Sequence, residues 1–158
     1  MDCLELKIPP ALSFAMVALL MWSSASCFPA WELGWFMCSL GWLAFIAGGV
    51  CCLLGLFEFL IHKTTADPRD PHQSSTLVCR GIYAYSRNPM YLGFVLLLAS
   101  LMLWLGSPLL VFYIVAFIWF LTRYQIEPEE RILRYRFGQT YQDYLYRVHR
   151  VGSKYSLP

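Results

Sequence analysis

The chain has 158 residues, 58% of them hydrophobic and 14% charged, with a formal net charge of +2. That length suits one domain, and a mean hydropathy of +0.51 excludes an ordinary soluble fold. Long apolar runs mark an integral membrane protein.

The six cysteines, Cys3, Cys27, Cys38, Cys51, Cys52 and Cys79, lie mostly in apolar runs, and none forms a Cys-x-x-Cys pair. They read as small buried hydrophobes rather than a disulfide framework. His62, His72 and His149 are scattered, so no metal site is expected. Nor is a cleaved signal peptide: Asp2 and Glu5 spoil a basic leader, and Pro9-Pro10 opens the first apolar run.

The first span is expected at about residues 8–28, entered through Pro9-Pro10 and left at Pro29. The second covers about 35–61. As a helix it would be roughly 40 Å long, more than a bilayer core of about 30 Å, so it should tilt or project. Gly41, Ala44, Gly48, Cys52 and Gly55 recur at helical spacing and predict a small-residue face for close helix packing. Glu58 falls near the end of this span, four residues before His62. A carboxylate so close to a membrane is a functional candidate, although a snorkelling interfacial pair explains it as well.

Residues 63–88 form a polar connection rich in Pro, Asp, Ser and Arg, long for a bare turn. It ends in Gly81 to Gly93, GIYAYSRNPMYLG, the most informative stretch of the chain. Asn88-Pro89 reads as a helix start, with Asn at the N-cap and Pro at the first helical position. The helix it opens, 89–105, is almost wholly apolar. Its free N–H groups and positive dipole end, beside Arg87, suit a carboxylate or phosphate. Tyr83, Tyr85 and Tyr91 flank it. A capped helix with interfacial tyrosines is the alternative reading.

A fourth span, 108–124, follows the turn Gly106-Ser107-Pro108, so the third and fourth helices form an antiparallel hairpin. The hairpin returns Glu129-Glu130 to the membrane face that holds Asn88. Beyond it, Leu133, Phe137, Tyr141, Tyr144 and Val148 fall at helical spacing and predict an interfacial amphipathic helix, starting near Pro128 and broken at Gly138. The loops 23–34 and 106–108 contain no Lys or Arg. The positive-inside rule therefore puts both termini and the 62–88 loop in the cytoplasm. No nucleic-acid fold stands behind the Arg-rich tail, and anionic lipid head groups are the simpler partner.

Arg87-Asn88-Pro89-Met90-Tyr91, an apolar hairpin and then Glu129-Glu130 resemble the Arg-His-Pro-x-Tyr, hydrophobic, Glu-Glu pattern of the isoprenylcysteine carboxyl methyltransferase family and its phospholipid methyltransferase relatives. The likeness continues through Phe137-Gly138, Tyr141, Tyr144 and Arg147-Val148, covering about residues 75–150. It implies one all-α membrane methyltransferase domain over 1–158, with a cytoplasmic cofactor-binding loop. It implies S-adenosylmethionine as cofactor and methyl transfer to a lipophilic or lipid-linked acceptor: a carboxylate, thiol or amine. Carried over, the family's cofactor contacts fall on Ser75, Thr76, Leu77, Val78, Tyr83, Asn88, Pro89, Met90, Tyr91 and Glu129. Arg87 and Glu130 join them on local chemistry.

Two departures bear on mechanism. Asn88 stands where the family usually has His, and Asn cannot titrate. Gln125 aligns with a substrate-contacting Arg of prenylcysteine-processing members, with Arg123 the nearest basic alternative. Candidate catalytic groups are Arg87, Glu130 and Glu58, with His62 a further guess as base. Membrane sterol reductases, which use NADPH, share a similar pattern but typically carry Gly-Glu after it, where this chain has Gly93-Phe94. A non-enzymatic four-helix membrane protein is the remaining alternative.

Overall fold

A computed structural model describes residues 5–29, 34–61 and 79–150, without the side chain of residue 59. The regular elements of the described residues are helices: α1 Pro10–Ser24, α2 Trp35–Ile61, α3 Pro89–Leu105, α4 Val111–Leu121 and α5 Glu127–Arg147. Short 3₁₀ turns lie at Ala25–Cys27, Gly81–Ala84 and Pro108–Leu110.

The boundaries of α2 and α3 coincide with the expected spans. Pro89 sets the start of α3, since its missing N–H would be unpaired in a first turn. Gly106 ends it in the left-handed conformation (φ 68°), donating its N–H to Met102 O and Leu103 O at 3.1 Å. One 3₁₀ turn then reverses the chain into α4, which makes the hairpin.

Among the described residues three helical segments, Pro10–Cys27, Trp35–Glu58 and the helix that begins at Pro108, are long and apolar enough to cross a membrane. At 17 residues α3 is shorter. Its length of about 25 Å still sits at the lower limit for a span.

α2 packs chiefly on α3. Gly41, Gly48 and Gly55 are buried on that side: Trp104 lies over Gly41, Gly93 against Gly48, and Met90 over Gly55. The small-residue face therefore meets another helix. Leu43, Ile46, Leu53 and Phe57 on other faces of α2 are exposed, as lipid-facing side chains are. A second contact joins α1, α3 and α4 through Met21, Leu98, Leu110, Ile114, Phe117 and Leu121. Phe14 and Phe94 stack beside it with ring centroids 5.0 Å apart.

Pro128 stands in the first turn of α5, as expected, but α5 does not start afresh from a loop. The last span runs into α5 through a π-helical turn, Thr122–Ile126, in which Glu127 N–H bonds to Thr122 O, five residues back. Pro128 has no N–H for the carbonyl of Tyr124, four residues back. Leu6 N–H donates there instead, at 3.0 Å. The expected break at Gly138 is present as a kink with φ 49°. It lets Tyr141, Tyr144 and Val148 form a buried cluster with Cys79, Leu133, Phe137 and Leu145.

Candidate active site at the rim of the bundle

The segment that enters α3 is fixed from three sides. Gly81 has φ 57°, and the Glu58 carboxylate lies where a side chain at Gly81 would stand. Only glycine combines that conformation with that approach. The buried Tyr83 follows, and its carbonyl accepts a hydrogen bond from Tyr144 Oη at 2.7 Å. Arg87 N–H donates to His149 O (3.1 Å), and Ser86 Oγ donates to Arg150 O (2.6 Å). The end of α5 thus holds the approach to α3.

Asn88 occupies the N-cap, but its side chain makes no capping bond. Ser86 Oγ instead accepts the Asn88 N–H at 3.3 Å. Asn88 Nδ2 is buried without a partner, and so is Arg87 Nε. Buried donors are normally satisfied, and an orphan needs a reason. Two of them lie at the positive end of α3, an arrangement that suits a bound anion.

Glu129 and Glu130, adjacent in sequence, have different surroundings. Glu130 accepts from Arg87 Nη1 at 2.9 Å and from Arg150 Nε and Nη2 at 3.1 Å each, with Arg134 at 4.0 Å. The hydrogen bond to Glu130 in turn holds the Arg150 guanidinium further above its usual range. Glu129 accepts from Tyr91 Oη at 3.1 Å. Burial pushes the Glu129 carboxyl up to about 7; the Tyr91 bond acts the other way, and the Glu130 charge adds to the rise. Burial, then the charges of Glu129 and Glu58 among its neighbours, also push the Tyr83 hydroxyl well up.

The structure therefore brings together Glu58, Tyr83, Arg87, Asn88, Tyr91, Glu129 and Glu130. Pro89 and Met90 form the first turn of α3, with Pro89 buried and Met90 against α2. Tyr85 points away and is 70% exposed. Ser75, Thr76, Leu77, Val78 and His62 lie outside the described residues. Among the described residues no three His, Cys, Asp or Glu side chains converge as a metal site would need.

Arg123 and Gln125 lie in the π-turn and face the start of the chain. Arg123 is 3.6 Å from Glu5 and 3.7 Å from Glu127, and Arg131 is 3.2 Å from Glu5. Gln125 is fully buried, with Nε2 donating to Ile8 O at 2.7 Å. Leu6 sits among these contacts with φ 56°, a conformation rare outside glycine, which four polar contacts outweigh. Glu5, Ile8, Ser86 and Arg150 are participants that the sequence reading did not pick out. The signal available for the first two is Pro128, whose missing N–H requires a donor from elsewhere.

Fold and rim together define a helical membrane protein with a partly buried polar site where α3 begins and α5 emerges. Comparison with known proteins makes this specific. The phospholipid methyltransferase family profile matches residues 36–140. A probable protein-S-isoprenylcysteine O-methyltransferase of Oryza sativa subsp. indica is 30% identical over 142 residues, covering 88% of this chain and 72% of that protein. Its counterpart in subsp. japonica matches equally. An uncharacterized protein of Haemophilus influenzae is 38% identical over 61 residues, 39% of this chain and 97% of its own length. The chain belongs to the phospholipid methyltransferase family and is related to the isoprenylcysteine methyltransferases.

Proposed function

We propose that the protein transfers a methyl group from S-adenosylmethionine to a lipophilic acceptor at the membrane. The observation that carries this is the pair of orphan buried donors, Arg87 Nε and Asn88 Nδ2, at the N-terminus of α3 in the same rim as Glu129. The cofactor has an anionic carboxylate and a cationic ammonium a few atoms apart, and the residues fit both. Arg87, Asn88 and the first N–H groups of α3 would hold the carboxylate. Glu129, oriented by Tyr91, would accept from the ammonium. The buried Tyr83 and residues 75–78 would border the adenine. Glu130 bonds to Arg87 and Arg150, which fits a part in keeping Arg87 in place.

The bound cofactor supplies an electrophilic methyl group. The chain's task is then to align the acceptor and exclude water. Asn88, in place of a titrating residue, is suited to holding a ligand rather than moving a proton. The apolar bundle supports an acceptor with a lipid tail entering between helices.

By the positive-inside rule, the rim, both termini and the 62–88 connection lie in the cytoplasm, and α5 lies along the membrane surface. A cavity of about 270 Å³ beside Glu130, lined also by Glu127, Arg131, Arg134 and Arg150, offers lipid head groups a place there.

The test is calorimetric titration of detergent-purified protein with S-adenosylmethionine, S-adenosylhomocysteine and NADPH. Binding of the first two and not the third is expected. Binding of NADPH alone would move the protein to the reductases, and no binding at all to non-enzymes.

A further inference from the structure

Glu129 meets Tyr91, and Glu130 meets the arginines, only at one rotation of α5 about its axis. The π-turn sets that rotation. The turn Thr122–Ile126 closes on a bond from Glu127 N–H to Thr122 O, five residues back, so it holds one residue more than an α-helical turn. Each α-helical residue advances about 100°, so α5 is turned by about that angle from an unbroken continuation of α4. In the unbroken helix every residue of α5 would take the place of its successor. Glu129 would stand where Glu130 now meets Arg87 and Arg150, and Pro128 would face Tyr91. From Glu127 the helix runs on to the kink at Gly138, so its backbone passes the angle of the turn directly to both glutamates.

π-turns are rare, and this one is held from outside by residues 5–8. Leu6 N–H donates to Tyr124 O at 3.0 Å, the acceptor that Pro128 leaves without a helical partner. Ile8 O accepts from Nε2 of Gln125, a side chain with no exposed surface, at 2.7 Å. The Glu5 carboxylate, 8% exposed, bridges the turn: it lies 3.6 Å from Arg123 within it and 3.2 Å from Arg131, one turn into α5. Pro128 acts with them, since in an unbroken helix its ring would clash with the Tyr124 carbonyl.

We propose that residues 5–8 are a strap that fixes the rotation of α5, and that Glu5 and Leu6 are positioning residues for Glu129. The rotation stands on the geometry alone; its effect on cofactor binding rests on the methyl-transfer reading. With the strap in place, Glu129 is offered to the cofactor's ammonium. Without it, Glu129 is drawn among the arginines.

The experiment measures S-adenosylhomocysteine affinity and the SDS unfolding midpoint of the full-length protein. Leu6→Pro removes the N–H and cannot take the φ of 56°. Pro128→Ala supplies an N–H that can close an α-turn on Tyr124 O. Together they release the turn, and affinity should fall about tenfold or more, the loss of one charge-assisted bond. Deleting Thr122 as well removes the extra residue and returns Glu129 to Tyr91. Affinity should then recover to within about threefold of wild type, whereas a strap that only stabilised the fold would give a further loss. Leu6→Gly, which keeps the N–H and tolerates the positive φ, should bind like wild type. The midpoint reads the rotation without ligand. In wild type Glu130→Gln should lower it more than Glu129→Gln does. In the released variant the two effects should exchange, because Glu129 has taken the place beside Arg87. No recovery on deleting Thr122, or Glu130→Gln remaining the more damaging change in the released variant, overturns the proposal. If the released variant does not fold, Pro128→Ala with Thr122 deleted and the strap intact decides: wild-type affinity and midpoint support the proposal, and loss of either overturns it. Failure of wild type to bind S-adenosylhomocysteine overturns the cofactor reading instead, and the midpoints then decide the rotation.

Discussion

Gly48 gives the sharpest test of how the site is held. Built on its backbone, a Cβ would lie 2.8 Å from the carbonyl oxygen of Gly93, against an ordinary contact of 3.4 Å or more. The contact is reciprocal: a Cβ on Gly93 would lie 2.8 Å from Gly48 O. Both atoms belong to helix backbones, so no rotamer change relieves the clash. Gly48→Ala therefore requires α2 and α3 to part by roughly 0.6 Å, which loosens packing along the interface. Overpacking of this kind costs about 1–3 kcal/mol, with Gly48→Leu at or beyond the upper end. The neighbouring Gly49 is the control. A Cβ there meets nothing within 4 Å, so Gly49→Ala should be neutral or slightly stabilising through helix propensity. The assay is unfolding in mixed micelles with rising SDS, followed by helical circular dichroism. Equal stability of Gly48→Ala and Gly49→Ala would refute the close approach of α2 and α3. Because α2 also carries Glu58 to Gly81, Gly48→Leu should weaken cofactor binding as well.

The two glutamates should separate cleanly. Glu129→Gln should weaken S-adenosylhomocysteine binding about tenfold to a hundredfold, the loss of a charge-assisted bond worth roughly 1.5–3 kcal/mol, while leaving the protein folded; wild-type affinity in this variant would remove Glu129 from the site. Affinity should also rise with pH and level off above about 7, since the ammonium pairs with the ionised form, and a flat titration would contradict this. Without ligand the sign for stability is opposite. Between the ordinary 4.5 and about 7 the folded Glu129 keeps a proton that the unfolded chain has released, so its contribution falls as pH rises through that window, and Glu129→Gln should remove the slope in urea-titration stabilities. Glu130→Gln should act mainly on the fold: Arg87 and Glu130 are only 14% and 11% exposed, and breaking such a pair costs about 3 kcal/mol, read as a lowered SDS midpoint. For topology, a membrane-impermeant thiol reagent applied outside cells should label a cysteine placed at the exposed Leu109 and not one at Tyr135, in a background free of native cysteines; the opposite pattern would reverse the orientation.

The sequence alone specified α2, α3, the hairpin and the kink, because the signals are local. Apolar runs end where Pro89, Gly106 and Pro108 force a start or a turn, and Gly138 can take a φ that breaks a helix. The face of Gly41, Gly48 and Gly55 was legible for the same reason, since small residues at helical spacing permit close approach whatever the partner. The composition of the rim was legible too, through Arg87, Asn88, Tyr91 and the glutamate pair. Tertiary structure decided what those residues do. Glu129 and Glu130 are indistinguishable in the sequence, yet one faces Tyr91 and the other three arginines, because successive helical positions point about 100° apart into different neighbours. Tyr83 and Tyr85 part in the same way, one buried and one in the open. The π-turn required knowledge that Leu6 and Ile8 come to lie beside Tyr124 and Gln125, more than a hundred residues away in the chain. Contacts of that span are set by how whole helices pack, and local propensity carries no record of them.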